Sequence, residues 1–264
     1  MSRLGYLAAS ARVAERALVQ RPRLGREERL VFVVGCPRSG TTFLGRAIGG
    51  LPGFVDLGEV TPWKAALPSG PAPDELRGIL ERVRTLGLAR GLRCVEQTPE
   101  TSHVLGAALE AYPQALAVHS VRDGRDVVCS LLERGWLNEA KDGTDDAGLP
   151  YGAAARFWVE PERREEFEHV SDARRCAWAW RRYVEAVRSS EAGERLLEVR
   201  YEGLASEPDR LARFLDANIT SMHRVLDDFR DSSIGRWKRE LTAEQVADVE
   251  AEAGPLLAEL GYTG

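Results

Sequence analysis

The sequence predicts an α/β fold of three layers, in which helices flank a central parallel sheet. Short apolar runs typical of buried strands alternate with segments of helical character, which is the pattern of right-handed βαβ units. The first apolar run leads directly into a glycine-rich turn and a helix start. In such folds ligands bind at the carboxyl ends of the strands, so we expect the functional residues there.

The composition is that of an ordinary globular protein. The chain has 264 residues, a formal net charge of −5 and 44% hydrophobic residues, which gives no general argument for binding nucleic acid or an anionic membrane. Its four cysteines lack metal-ligand spacing, and no stretch approaches the roughly 20 apolar residues of a membrane helix. We expect a cytoplasmic protein with no metal and no nucleic-acid or membrane partner; the oligomeric state is not predicted.

Two regions are predicted in the chain. Residues 1–29 form an N-terminal helical extension, and residues 30–264 form a single domain. The extension is interpreted as a surface helix with apolar positions at Leu4, Leu7, Ala11, Ala14 and Leu18. Within the domain, residues 135–170 are polar and charged, and weak local structure is predicted for them. They are interpreted either as a flap over the substrate or as a solvated excursion.

The predicted elements follow in chain order. Strands are expected at residues 30–34, 54–58, 93–96, 116–121 and 196–201. Helices are expected after the first turn and at residues 74–90, 101–111, from about 124, 172–190, from 206 to about 230 and from 242 to 260. A proline-rich linker covers residues 68–73. Ser206 is predicted to cap one helix, and Thr242 with Gln245 to form a capping box.

The turn after the first strand is predicted to bind an anion. It has the Gly-x-x-x-x-Gly spacing of a P-loop, from Gly35 to Gly40. Thr41 and Thr42 follow, where a nucleotide triphosphatase carries lysine and then serine or threonine, so ordinary ATP or GTP chemistry is disfavoured. The cation is Arg38, inside the loop, whose planar head group can bind two oxygens of a phosphate or sulfate. A purely structural turn is the alternative.

A second anion site is predicted at the strand ending at residue 121. Arg122 follows this strand, and Ser130 lies on the helix after it. Arg236 and Lys238, in a basic loop near the C-terminus, are expected to close over this site. Two separated anion sites suit a nucleotide that carries both a 5′ and a 3′ phosphate group.

Four motifs in this order resemble the successive signatures of PAPS-dependent sulfotransferases, where PAPS is 3′-phosphoadenosine-5′-phosphosulfate. They are Pro37-Arg38-Ser39-Gly40-Thr41-Thr42, Val121-Arg122-Asp123-Gly124-Arg125-Asp126 with Ser130, Val199-Arg200-Tyr201-Glu202-Gly203-Leu204, and Ile234-Gly235-Arg236-Trp237-Lys238. The resemblance covers residues 30–260 and implies a P-loop-type fold. Arginine in the loop and the pair Gly58-Glu59 resemble the tyrosylprotein-sulfotransferase-like branch and its bacterial relatives more than the cytosolic steroid and phenol branch.

The resemblance implies that PAPS is the co-substrate and that no metal is required. The 5′-phosphosulfate would be held by Arg38 and the backbone of Ser39, Gly40, Thr41 and Thr42. The 3′-phosphate would be held by Arg122 and Ser130. The loop that closes on the donor would contain Gly235, Arg236 and Lys238.

The implied reaction is in-line transfer of a sulfuryl group to an acceptor hydroxyl, expected on a small metabolite. Glu59 is the predicted base, because it follows the strand expected beside the loop and a carboxylate accepts a proton directly from a hydroxyl. His103 is a second candidate, four residues beyond the matching histidine position of the cytosolic enzymes. Gln97 stands where relatives commonly carry lysine. Either Arg38 carries more of the charge stabilisation, or Gln97 positions the substrate, or the rate is modest.

Two other functions stay open on the sequence alone. A P-loop small-molecule kinase would need a lysine after Gly40 and an acidic Mg²⁺ site, and neither is evident. A catalytically impaired nucleotide-binding module is mildly favoured by the uncharged Gln97. Trp178 and Trp180 are predicted as core residues, with an adenine-stacking surface as the alternative. His119 is predicted as a packed or inter-strand residue.

Overall fold

Five parallel strands form the central sheet, in the order β2-β3-β1-β4-β5. A computed structural model describes residues 3–19, 30–60, 80–81, 84–138, 140–144, 150–153 and 157–262. The strands are β1 (Val31–Val34), β2 (Phe54–Gly58), β3 (Arg93–Glu96), β4 (Leu116–Val121) and β5 (Leu196–Arg200). All neighbouring pairs are parallel, which confirms the predicted α/β class.

Helices cover the sheet on both faces. They are α1 (Arg3–Val19), α2 (Thr41–Gly49), α3 (Leu105–Ala111), α4 (Gly124–Arg134), α5 (Arg164–His169), α6 (Asp172–Arg188), α7 (Pro208–Phe214), α8 (Ile219–Leu226), α9 (Trp237–Glu240) and α10 (Ala243–Glu259). Residues 80–81 and 84–89 are also helical. Residues 74–79 and 82–83 of the predicted helix, and the linker 68–73, lie outside the described residues. No helix of the described residues combines the length and apolar character needed to cross a bilayer.

The three layers follow from the alternation of side chains along β1, whose residues are all buried. Phe32 and Val34 pack in one cluster with residues of α1 and α3. Val31 and Val33 pack in a second cluster with residues of α2, α7 and α8. Because successive side chains of a strand point to opposite faces, a strand that is apolar throughout needs a helical layer on each side.

A third apolar cluster joins α4, α6 and α10 beside the sheet. Trp178 and Trp180, both on α6, are 0% exposed in this cluster, so the prediction that they are core residues is confirmed. The indole N–H of Trp180 donates to the carbonyl of Arg122 at 3.1 Å. A side chain at Gly124 would collide with the Trp180 ring, so the core sets the position of the chain that leaves β4.

The strand order corrects one expectation. β2 was predicted beside the loop, but β3 lies between β1 and β2. The burial patterns agree with this order, since every residue of β3 is buried whereas β2 has half-exposed positions at Asp56 and Gly58, as an edge strand does. Glu59 therefore leaves the sheet one strand further from the loop than predicted.

The N-terminal helix packs against β2 with a different face from the one predicted. Ala9 and Val13 are buried, whereas Leu7 is 61% and Leu18 is 86% exposed. Arginines decide the orientation. Arg12 donates to the carbonyls of Asp56 and Leu57, and Arg16 to those of Gly50, Leu51 and Phe54. Helix α1 thus satisfies backbone carbonyls at the sheet edge. Residues 20–29 of the predicted extension lie outside the described residues.

The prediction of weak local structure for residues 135–170 is wrong for residues 157–169. Phe157, Val159 and Phe167 are buried in the core, although the sequence around them is highly charged. The charges pair instead of being solvated: Glu252 on α10 accepts from Arg163, Arg174 and Arg181. Residues 139, 145–149 and 154–156 lie outside the described residues, and the flap stays a prediction.

Two predicted helix caps have different outcomes. Thr242 and Gln245 form the predicted capping box at the start of α10. Ser206 does not cap α7, which begins after Glu207 without a side-chain cap. Pro208 occupies the first position of that helix, so one of the N–H groups that a cap would satisfy does not exist.

Candidate active site

The loop between β1 and α2 has the geometry of an anion-binding turn. The N–H of Ser39 donates to the carbonyl of Cys36 at 3.1 Å, which closes the turn. Gly40 precedes α2 with φ of +86° and offers no side chain as a cap. The first intrahelical bond runs from Leu44 N to Gly40 O, at 3.0 Å. The N–H groups of residues 41–43 therefore have no acceptor within the helix, and the helix dipole adds positive potential there.

Tyr201, directly after β5, packs against this loop. A side chain at Gly40 would overlap the tyrosine ring, so glycine is required there by contact as well as by its positive φ. The guanidinium carbon of Arg122 lies 4.6 Å from the centre of the same ring. The tyrosine hydroxyl lies 3.4 Å from Ser233 Oγ. Tyr201 thereby connects the loop, the end of β4 and the segment before α9.

Arg122 follows β4 and is 5% exposed. It donates from Nη1 to the carbonyl of Arg38 at 3.2 Å and from Nη2 to the carbonyl of Ser233 at 2.5 Å. The carboxylate of Asp126 lies 3.8 Å away. The buried Nε–H of Arg122 has no partner among the described residues. A buried guanidinium with an unused donor is suited to an additional anionic acceptor.

Arg38 extends across the loop to α4. Its backbone has φ of +74°, and its Nε donates to Ser130 Oγ at 2.8 Å. Burial, and then the nearby charges of Arg134 and Arg122, lower the pKa of Arg38. The hydrogen bond joins two residues predicted to hold opposite ends of the donor. The two predicted anion sites are therefore adjacent, and their positive charges repel one another until an anion is bound.

The segment before α10 is attached to α4 by a carboxylate. Asp126 accepts from the N–H groups of Gly235 at 2.7 Å and Trp237 at 3.0 Å. Arg236 forms ion pairs with Glu133 and Glu240. Lys238 is exposed, and its ammonium lies 5.4 Å from the Trp237 ring. The predicted basic loop is thus a turn followed by the short helix α9.

These groups surround one cavity of about 220 Å³, here named the arginine cavity. It is lined by Arg38, Gly40, Thr41, Thr42, Arg122, Ser130, Tyr201, Ser233 and Arg236. Seven of the ten residues predicted to hold the donor are among them. The other three lie outside the lining. Ser39 is buried, with its carbonyl accepting from Ser120 Oγ at 2.6 Å, while Gly235 lies in the neighbouring turn and Lys238 in α9.

The structure is similar to solved structures of sulfotransferases, whereas no protein-family model and no curated protein sequence matches the chain. A sulfotransferase domain from the curacin biosynthetic pathway matches with a TM-score of 0.55 and 14% identity, over 88% of this chain and 98% of that chain. A sulfotransferase from Alicyclobacillus acidocaldarius gives 0.52 and 17%, over 89% and 95%. The sulfotransferase domain of the Synechococcus PCC 7002 olefin synthase gives 0.51 and 14%, over 89% and 98%. The chain has the sulfotransferase fold.

The fold implied by the sequence resemblance is thereby confirmed. At these identities the similarity concerns the sulfotransferase fold alone. The closer relation to the tyrosylprotein-sulfotransferase-like branch stays a prediction.

Within this fold, Glu59 follows a bulge in the edge strand β2. The register between β2 and β3 shifts between Asp56 and Gly58. Arg12 donates to the carbonyls of Asp56 and Leu57 at this point. A bulge bends its strand and redirects the residues that follow. Glu59 is exposed and leaves the strand next to the end of β3, where Gly58 pairs with Glu96.

Gln97 occupies the position beside the loop that was expected for Glu59. It follows β3, the direct neighbour of β1, and its N–H donates to the carbonyl of Gly58 at 3.2 Å. The side chain is 4% exposed and packs on Gly45 of α2, where a Cβ would lie 2.8 Å from Gln97 Oε1. This oxygen has no hydrogen-bond partner among the described residues. Gln97 therefore places an uncharged side chain against α2, the helix that follows the predicted anion loop, without lining the arginine cavity.

Neither histidine singled out by the sequence lines the arginine cavity. The ring of His103 stacks on Trp158, with centroids 4.5 Å apart, and meets the edge of Tyr183 at 4.4 Å. His119 is buried, and its Nδ1 lies 3.1 Å from Glu198 Oε2 on the neighbouring strand, as predicted for an inter-strand residue. Burial lowers the pKa of His119. The structure thus gives His103 an aromatic packing role.

Glu96, the last residue of β3, was missed by sequence reasoning. Its side chain is 0% exposed, and burial raises its pKa to about 7, against the opposing effect of hydrogen bonds from Thr98, Thr101 and Val60. A carboxylate one residue before Gln97, at the end of a strand, is the signal that could have identified it.

Tyr201, Ser233 and Asp126 were also missed as parts of the site. Tyr201 and Asp126 lie within the recognised motifs, but Ser233 has no sequence signal, because it contributes its backbone carbonyl to Arg122. The described residues contain no cluster of His, Cys, Asp and Glu side chains that could hold a metal ion.

Proposed function

We propose that the protein is a PAPS-dependent sulfotransferase that transfers a sulfuryl group to a hydroxyl group of a small metabolite. The observation that carries the proposal is the arginine cavity, in which the open N–H groups of α2 face Arg38, Arg122 and Ser130. A donor with phosphate groups at its 5′ and 3′ positions can satisfy both halves of this cavity. The sulfotransferase fold supports the same reaction class.

The chain's own residues fit such a donor. The N–H groups of residues 41–43 and the head group of Arg38 would hold the 5′-phosphosulfate. Arg122, through its unused Nε–H, and Ser130 would hold the 3′-phosphate. An anion between Arg38 and Arg122 would also offset the burial and the neighbouring arginine charges that together lower the pKa of Arg38. Each charge-assisted hydrogen bond of this kind contributes about 1.5–3 kcal/mol.

PAPS supplies the sulfuryl group and leaves as adenosine 3′,5′-bisphosphate. The acceptor oxygen forms the new S–O bond as the S–O bond to the 5′-phosphate breaks, and the acceptor proton passes to the Glu59 carboxylate. Arg38 and the N–H groups of α2 stabilise the negative charge that develops on the phosphate oxygen. Gln97 brings a neutral amide to the same side of the loop.

The proposed acceptor class, a small metabolite, rests on the kind of protein found among the similar structures. Two of the similar structures are sulfotransferase domains, one from the curacin biosynthetic pathway and one from an olefin synthase. Residues 60–92 and 135–170 are proposed to set acceptor specificity, and many of them lie outside the described residues.

Calorimetry tests the donor. Adenosine 3′,5′-bisphosphate should bind at micromolar or lower concentration without metal, and ATP with Mg²⁺ should bind at least a hundredfold more weakly. Tight binding of ATP with Mg²⁺, and none of the bisphosphate, would favour the kinase alternative and contradict the proposal. Transfer of labelled sulfate from PAPS to a panel of hydroxyl compounds then distinguishes an active enzyme from an impaired binding module.

The Glu59→Gln variant tests the base. We expect kcat to fall by about 10²–10⁴-fold, because the acceptor proton loses its acceptor, while the Kd for the bisphosphate stays within threefold. Glu110→Gln, at an exposed position of α3, is the matched control and should keep normal turnover. A Glu59→Gln enzyme with normal kcat would exclude Glu59 as the base.

A further inference from the structure

The ends of β2 and β3 are joined by a buried carboxylate. Glu96 accepts from Thr98 N at 2.9 Å and from the Thr98 hydroxyl, both at Oε1, and from the Thr101 hydroxyl at 3.2 Å, at Oε2. The backbone N–H of Val60 also donates to it. Four neutral donors from two chain segments thus converge on one side chain that is 0% exposed.

The segments that donate to Glu96 adjoin the two candidate catalytic residues, Glu59 and Gln97. Val60, itself 2% exposed, directly follows Glu59. Gly58, which directly precedes Glu59, accepts from the N–H of Gln97 at 3.2 Å. The backbone is therefore fixed on both sides of Glu59. Gln97 lies in turn between Glu96 and Thr98, which are bonded to each other.

We infer that Glu96 is a positioning residue for sulfuryl transfer, whose carboxylate sets the placement of Glu59 relative to Gln97 at the site of the acceptor hydroxyl. The inference rests on the proposed function. Glu96 does not line the arginine cavity, so we expect its effect on turnover and not on donor binding. Reacting groups must be aligned within a fraction of an ångström, and a shifted base loses rate without losing the bound nucleotide.

Glu96→Leu tests this inference, because leucine keeps the bulk and removes every acceptor. We expect kcat to fall at least a hundredfold, with the Kd of the bisphosphate and the KM for PAPS within threefold of wild type. Glu96→Gln keeps one acceptor oxygen, so a loss of about tenfold is expected. The control is Glu100→Gln, which removes a second buried carboxylate, bonded to the Tyr183 hydroxyl, and should leave kcat within twofold.

Two further readouts separate positioning from general stability. Amide hydrogen exchange at Val60 should be at least tenfold faster in Glu96→Leu, while exchange in β1 and β4 stays unchanged. In the double variant Glu59→Gln/Glu96→Gln, the loss of kcat should be smaller than the product of the single losses, because both changes act on the same proton transfer.

The outcomes distinguish this inference from the proposed function. Wild-type protein that binds no bisphosphate and transfers no sulfate would overturn both. A normal wild type with Glu96→Leu turnover within threefold, or with unchanged Val60 exchange, would overturn the role of Glu96 alone. If Glu96→Leu does not fold, the Glu96→Gln variant replaces it in this test. A kcat of Glu96→Gln within twofold of wild type would then overturn the role of Glu96.

Discussion

The two sides of the candidate active site are built in opposite ways. The arginine cavity, at the ends of β1 and β4, collects three arginines and the N–H groups of residues 41–43, which have no acceptor within α2. The ends of β2 and β3 instead hold the buried carboxylate Glu96, surrounded by neutral donors. The first side is therefore suited to binding an anionic ligand. On the second side the hydrogen bonds of Glu96 hold the ends of two strands together. The difference indicates that donor binding and acceptor activation can be altered separately.

Arg122→Ala should weaken donor binding, and its effect should be confined to the first side. Loss of the charge-assisted hydrogen bond from Nε, at about 1.5–3 kcal/mol, should weaken bisphosphate binding by about 10- to 100-fold. Arg122→Lys is the control: it keeps the charge without the forked geometry and should recover part of the affinity. Calorimetry gives both values. An unchanged affinity of Arg122→Ala for the bisphosphate would exclude Arg122 as a residue that holds the 3′-phosphate.

The pH dependence of stability should report on the second side. Burial raises the Glu96 pKa from 4.5 to about 7, so the folded protein binds this proton more tightly than the unfolded chain. The stabilisation is fully present below pH 4.5 and is lost as the pH rises through 7, amounting to about 3 kcal/mol. Denaturant unfolding should be measured for wild type and Glu96→Gln at several pH values. The free energy of unfolding of wild type, relative to that of the variant, should fall by this amount as the pH rises from below 4.5 to above 7. Parallel pH profiles would contradict the raised pKa.

Gln97 follows β3, between the two sides. The Gln97→Met substitution should have only a small effect on stability and turnover. Because Gln97 Oε1 has no hydrogen-bond partner in the described chain, its loss should leave Tm unchanged within about 2 °C. If the neutral amide contacts the transferring group, kcat should fall about fivefold, which corresponds to roughly 1 kcal/mol. Gln97→Lys is the informative comparison. An increase in kcat with lysine would mean that charge at this position limits the natural enzyme.

His103→Phe should have the smallest effect. Phenylalanine preserves the stack on Trp158 and the contact with Tyr183. Both kcat and bisphosphate affinity should remain within twofold of wild type in steady-state assays and calorimetry. A loss of kcat comparable to that of Glu59→Gln would restore His103 as a candidate base and would contradict the separation of the two sides.

Motif spacing predicts the arginine cavity well because its residues act through local geometry. Gly40, Thr41 and Thr42 form a helix start whose open N–H groups depend only on the turn and the helix after it. Arg122 and Ser130 lie on one strand end and the helix that follows. The hydrogen bond between Arg38 and Ser130 is different, since it spans 92 positions and depends on β1 and β4 being neighbours.

The second side was harder to predict because long-range packing decides it. Spacing placed Glu59 after β2, but the insertion of β3 between β1 and β2 put Gln97 beside the loop instead. Periodicity predicted an exposed face of α1 as the buried one. Arg12 and Arg16 set the packed face instead, because they donate to carbonyls at the bulged edge strand while Leu7 and Leu18 stay exposed.

The sequence by itself determined the α/β class, the five strands and the residues of the anion loop, because apolar periodicity and turn chemistry act over a few residues. Tertiary structure alone decided the order of the strands, the joining of two predicted anion sites into one cavity, and the convergence of Val60, Thr98 and Thr101 on Glu96. These features depend on which distant segments share a core and which buried polar groups must be satisfied there. Local sequence patterns do not predict which distant segments pack together.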